Sequence, residues 1–343
     1  MNADRTALNA RLQASARDVA AAVTTRFLAA HPDWVTRYGD RARAHGEADA
    51  LFHIEFLAGA IVADAPEAFA DYGRWSARVL QARGMPPGFL CEFFDLIADR
   101  FRELLQPEEA AVTGAYLVAA RTAAAATSPA DPPALSETAT IFRQAILSGR
   151  RDTAVSILTA TMAAGGTIAD VADLVVGAAM RQLGEMWQDA VITVADEHRA
   201  TAMAQFAMIA VHAATRRPTS AGKALVSGVE GERHQIGGYL VSEVLVAAGW
   251  DVAFLGTDLP HRDVVRMAGD HGPRLIAISA TLTRSLPAVL DLTASLRSAT
   301  APGTRIVVGG RAFRGVPDPA SAVGADAWFP DTRSLEAWLP AAG

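Results

Sequence analysis

Lys223-Ala-Leu-Val-Ser-Gly-Val-Glu-Gly-Glu-Arg-His-Gln-Ile-Gly-Gly238 decides how the rest of the chain is read. It opens on a short apolar run with no polar alternation, passes through an acidic and histidine-bearing loop, and closes on paired glycines that start a helical stretch. A run without alternation is a strand buried on both faces. The same signature returns in Asp251–Gly256 (DVAFLG), Arg274–Ala280 (RLIAISA), Arg305–Gly310 (RIVVGG) and Asp326–Pro330 (DAWFP), with helical sequence between the runs. Strands alternating with helices predict a parallel, doubly wound, flavodoxin-like sheet over 222–343. Ligands of such sheets lie beyond the carboxyl ends of the strands, so the loops after Val229, Gly256, Ala280 and Gly310 are the ones to search.

In the first of these loops Glu232, His234 and Gly237 are spaced Glu-x-His-x-x-Gly. A metal-bound imidazole has its second nitrogen held by a carboxylate, which fixes the tautomer, and Glu232 is placed for that. Gly237 lets a bulky group approach the helix backbone. Taken alone, the segment reads more readily as a polar surface loop, and Gly309-Gly310 as an ordinary tight turn. Ser279-Ala-Thr281-Leu282 after the third run adds a third cluster at the same sheet edge.

Upstream, 135–216 has helical spacing throughout, with Ile141, Ala145 and Ile146, then Val155, Leu158 and Met162, then Val171, Leu174, Val175 and Ala178, and reads as a four-helix bundle. Residues 1–126 read as an all-helical domain. Its expected breaks are His31–Trp34, His45–Glu47 and Arg83–Pro87, where two prolines begin a helix rather than continue one. Thr127–Pro133 (TSPADPP) is the expected linker.

Together, Glu-x-His-x-x-Gly, Ser-x-Thr and Gly-Gly at successive strand ends resemble the cobalamin-binding domain of methionine synthase and of cobalamin-dependent mutases and light sensors. The commonest form of the motif has Asp where this chain has Glu232. The resemblance implies that His234 ligates cobalt from below in place of the cofactor's own base. Ser279 and Thr281 would line the slot for the nucleotide tail, and Gly309 and Gly310 would leave room for it. In the bundle, Trp187 followed ten residues later by Glu197-His198 is similar to the cap of light-sensing regulators that use adenosylcobalamin. There the Trp packs on the adenosyl group and the Glu accepts from its ribose. The residue after the Trp is a cobalt-capturing His in those regulators and Gln188 here, which leaves His198 as the candidate upper ligand after photolysis.

The chain has 343 residues, enough for two or three domains, of which 51% are hydrophobic and 20% charged. A net charge of -6 argues against gripping DNA or anionic lipid. The one cysteine, Cys91, excludes a disulfide framework. With no apolar signal core and no long apolar stretch, a cytoplasmic protein without a membrane span is the expectation. Residues 1–126 carry no basic recognition helix. Their aromatics, with His45, His53, Arg74, Arg78 and Cys91, fit either ordinary packing or a second, bilin chromophore such as biliverdin, as in photocobilins. The favoured reading is a cobalamin-dependent light sensor, not an enzyme, working through a downstream signalling partner or a homo-oligomer. The alternative is a corrinoid methyl carrier serving partner methyltransferases. The upper ligand separates them, because Trp187 and Glu197 suit a bulky adenosyl group whereas a carrier needs an open face.

Overall fold

The computed structural model of the chain describes residues 2–127, 134–215 and 219–339, so all but the first residue of the expected linker lies outside the described residues. The amino-terminal helices are α1 (Asn2–Ala30), α2 (Pro32–Tyr38), α3 (Arg41–Val62), α4 (Pro66–Ala82), α5 (Pro87–Leu104) and α6 (Pro107–Ala125). Proline opens α2, α4, α5 and α6, where its missing N–H costs nothing and its fixed φ is already helical. The break expected at His45–Glu47 does not occur, and α3 runs straight through it. A Cβ on Gly46 would stand 2.7 Å from Thr24 Cγ2, so this glycine lets α1 and α3 approach instead of ending a helix. Phe69, Phe94, Ile97, Leu57 and Phe101 fill the core between the helices. Each such side chain, fully buried, stabilises by roughly 1.5–3 kcal/mol.

The aromatics that suggested a bilin belong largely to this core. Phe56 and Phe93 are buried, and Phe56 stacks on Tyr72 with ring centroids 3.9 Å apart. Arg74 is engaged by Asp71 and Glu67. His53 is buried too, its Nδ1 2.6 Å from the Tyr72 hydroxyl. Burial pushes the His53 imidazole down to about 4, since nothing nearby repays the desolvation of its charged form.

Next come α7 (Glu137–Leu147), α8 (Arg151–Ala163), α9 (Ile168–Asp170), which continues through a π-helical segment, Val171–Gly177, into α10 (Ala178–Gln188), and α11 (Val194–Thr215). Ser136 caps α7 by accepting from Ala139 N–H, and Thr167 with Asp170 forms a capping box. Phe142, Ile146, Leu158, Leu183 and Met208 make the bundle's core.

The sheet is five parallel strands, β1 (Gly222–Ser227), β2 (Trp250–Gly256), β3 (Leu275–Ser279), β4 (Arg305–Gly309) and β5 (Ala327–Phe329), in the order β2-β1-β3-β4-β5. Helices α12 (Ile236–Ala247), α13 (His261–His271), α14 (Leu286–Ala299), α15 (Pro319–Ala322) and α16 (Thr332–Trp338) complete it. The expected doubly wound architecture is therefore the observed one. Leu240 and Val244 of α12 pack into the bundle's core. Asp173 in the π-helical segment accepts from the N–H groups of Thr332 and Arg333 at the start of α16. These contacts weld bundle and sheet.

The chain accordingly divides into two compact units. One holds α1–α6 together with Leu282–Pro287 and Ala312–Ala322, and the other holds the bundle and the remainder of the sheet region. No described helix is long and apolar enough to cross a membrane.

Candidate functional site

The carboxyl edge of the sheet is tied together by one buried carboxylate. Glu232 is 1% exposed, and three donors converge on it. His234 reaches Oε1 twice, through its backbone N–H at 2.9 Å and through Nδ1 at 2.6 Å, and Thr281 N–H reaches Oε2 at 2.7 Å. Burial by itself raises the Glu232 pKa, but the hydrogen bonds from the His234 ring, Thr281 N–H and His234 N–H outweigh it and hold the group below its ordinary value. Being ionised, Glu232 can only accept, so Nδ1 of His234 carries the proton. The ring's ligand electron pair is then on Nε2. The His234 side chain is 49% exposed, so this nitrogen belongs to an imidazole open to a ligand.

The loop itself is pinned from below. Asp258, with φ +59°, accepts from Gly231 N–H at 2.8 Å, and its own N–H donates to Val229 O. Gly231, at φ +79°, takes a backbone conformation that a side chain would strain. Neither Asp258 nor this tie was singled out from the sequence. Its signal, Thr257-Asp-Leu-Pro260 after β2, lies in a loop marked for search but carries no metal-ligand spacing.

The other motif residues fall at the same edge. A Cβ on Gly237 would lie 3.2 Å from Ser279 Oγ, and one on Gly238 would lie 3.5 Å from Ser279 Cβ, so the first turn of α12 packs closely on the end of β3. Gly310 has φ +106°, and a Cβ there would run into the Ala280 carbonyl. Gly309 pairs with Ser279 across the sheet. Thr281 contributes through its backbone N–H to Glu232, a contact that a side-chain reading of Ser-x-Thr does not anticipate.

Trp187, Glu197 and His198 lie on the bundle. Trp187 is half-buried in the last turn of α10. Glu197, in the first turn of α11, accepts from the Thr201 hydroxyl at 2.8 Å. The His198 side chain is 76% exposed, its Nε2 3.7 Å from Glu197 Oε2. Gln188, where the light-sensing pattern has His, is buried.

Two stretches of the chain, the sheet region and the bundle, are similar to known cobalamin-binding domains. Residues 222–337 match a family model described as B12 binding domain, and residues 139–211 match a second model of the same description. Among curated relatives, trimethylamine corrinoid protein 1 of Methanosarcina mazei is 32% identical over 108 residues, which is 31% of this chain and 49% of the relative. A corrinoid protein of Desulfitobacterium hafniense is 33% identical over 110 residues, 32% of this chain and 50% of that protein. This chain thus spans about half the length of these relatives. The solved monomethylamine corrinoid protein of Methanosarcina barkeri is 25% identical, with a TM-score of 0.49, over 58% of this chain and 95% of that one.

The residues present fit a corrinoid. One imidazole with a fixed tautomer is the donor set for a metal that arrives with its own equatorial ligands. Gly237 at the start of α12 and Gly310 after β4 let the loops that carry His234 and Thr281 pack closely around it.

Proposed function

We propose that this protein is a corrinoid carrier that holds cobalamin without the cofactor's own base, with Nε2 of His234 as the lower ligand of cobalt. The observation that supports this most is the convergence of three donors on buried Glu232, which leaves the imidazole oriented and its far nitrogen available. When bound, the corrin supplies a cobalt centre able to accept and release a methyl group. The chain's own part is to bind and tune. Glu232 would fix the tautomer of His234 and raise its basicity. Ser279, Gly309 and Gly310 would receive the nucleotide tail, and the bundle would cover the cofactor. Partner methyltransferases would then perform the transfers, and the protein itself would be no enzyme. The names of the curated relatives favour this reading over light sensing. The division into a helical regulatory domain over 1–126, a cap over 135–216 and a sheet domain over 222–343 is part of the same proposal, as is a cytoplasmic location.

A second reading, an adenosylcobalamin light sensor, is favoured by half-buried Trp187 and by Glu197 at the neighbouring helix start, an apolar wall and an acceptor suited to an adenosyl group. Comparing the affinities for methylcobalamin and adenosylcobalamin in darkness tests the choice. A carrier binds the methyl form at least as tightly and keeps that preference in Trp187→Ala. A strong adenosyl preference that Trp187→Ala abolishes would replace the carrier with the sensor.

A further inference from the structure

The helical unit includes a short piece of sequence from the cobalamin-binding part, and that piece follows the residue that holds Glu232. Leu282–Pro287 belongs to the same compact unit as α1–α6. Leu282 packs on the helical core. A Cβ on Gly59 of α3 would run into the Thr283 carbonyl and stand 3.0 Å from Arg284 Cα, so α3 and this backbone are in direct contact. Arg284 Nη1 donates to Glu55 Oε2 at 2.8 Å, with the guanidinium 5.2 Å from the centre of the Phe52 ring. The Arg284 side chain is only 25% exposed, and a planar cation between a carboxylate and an aromatic ring holds one orientation well.

Thr281 stands two residues before Thr283, and its N–H is the donor to Glu232 Oε2. Over so short a span, fixing the backbone at Thr283 and Arg284 fixes where the Thr281 N–H points. Glu232 in turn orients His234. The sequence 1–126 lies outside the matched B12 binding regions, so nothing in those matches accounts for this grip.

We propose that Glu55, Gly59 and Arg284 are positioning residues for the lower cobalt ligand. By holding Thr283 and Arg284, the helical unit keeps Thr281 N–H on Glu232 and so keeps His234 ligand-ready. The inference rests on His234 being that ligand, and the test separates the two.

The full-length protein, grown on nitrogen-15 histidine, is loaded with hydroxocobalamin, reduced to the cobalt(II) state, and examined by electron paramagnetic resonance, where an axial protein histidine splits the cobalt lines into doublets and the cofactor's own base into triplets. Native protein should show the histidine-ligated form, and His234→Ala should lose it. Arg284→Met and Gly59→Ala should raise the ratio of cobalt without the histidine to histidine-ligated cobalt about threefold to tenfold, less than the loss expected on changing a group that itself bonds the ligand. Arg284→Lys, which retains the charge toward Glu55 but loses the planar stacking on Phe52, should fall between native and Arg284→Met. Circular dichroism confirms folding, and Arg284→Met decides should Gly59→Ala not fold. Native ratios in the folded Arg284→Met protein would overturn the proposal while leaving His234 as ligand. Identical spectra for native protein and His234→Ala would overturn both together.

Discussion

His234 and His53 are each held through Nδ1 at 2.6 Å, one by Glu232 at the sheet edge and the other by Tyr72 inside the helical unit, and their chemistry diverges from there. The partner of His234 is an ionised carboxylate, and the ring stands half in the open. The partner of His53 is a neutral phenol, itself pushed up by burial, and His53 is enclosed and loses its charge. An imidazole becomes a ligand when a buried acceptor dictates its tautomer and its other nitrogen faces outward. Enclosed against a hydroxyl, the same ring serves as a core residue that protonation would disrupt.

The strongest way to break this contrast is to remove each ring. His234→Ala should abolish histidine-ligated cobalamin and lower affinity by at least about a hundredfold in a spectral titration, since the ligand itself is lost. His53→Ala should leave that spectrum recognisable. Acid treatment should do the reverse. The folded pKa of His53, about 4, is below its unfolded value of 6.5, so the unfolded chain binds the proton first. Stability is then full above about pH 6.5 and is lost as pH falls toward 4, by about 3 kcal/mol for a shift of that size. Thermal unfolding of the native protein against His53→Gln across this range checks it, the variant showing the flatter profile.

Glu232→Gln sharpens the comparison at its acceptor. Three donors meet the carboxylate, whereas an amide offers one oxygen and turns an N–H₂ toward one of them. Cobalamin affinity should fall about tenfold to a hundredfold, and an unchanged dissociation constant would separate Glu232 from the tuning of His234. The smallest effect is expected from Asp258→Ala, which frees Gly231 N–H at the loop's far end. Loss of one such hydrogen bond, about 1 kcal/mol, corresponds to roughly a fivefold weaker complex by isothermal titration.

Much of the contrast was legible in the sequence because the sheet edge is written locally. Continuous apolar runs at Ala224–Val226, Leu275–Ile278 and Ile306–Val308 mark buried strands, and the motif spacings place Glu232, His234, Ser279 and Gly310 at their ends. What escaped is long-range. Gly46 looks like a helix stop until Thr24 is seen against it. Thr281 looks like a side-chain contributor until its N–H meets Glu232, 49 residues away in the chain. The grouping of Leu282–Pro287 and Ala312–Ala322 with the amino-terminal helices has no periodic signature. The group of buried Glu243 with half-buried Tyr239 and His212, which joins α12 to α11, is likewise spread over segments with no recognisable spacing.

The central claim, that His234 replaces the cofactor's own base on cobalt, is tested most directly by isotope. Protein grown on nitrogen-15 histidine is loaded with unlabelled cobalamin and reduced to cobalt(II). If a protein histidine is the axial ligand, the nitrogen splitting changes from a triplet to a doublet, and the doublet disappears in His234→Ala. A triplet that persists in the labelled protein would show that the cofactor's own base remains on cobalt, and would contradict the account.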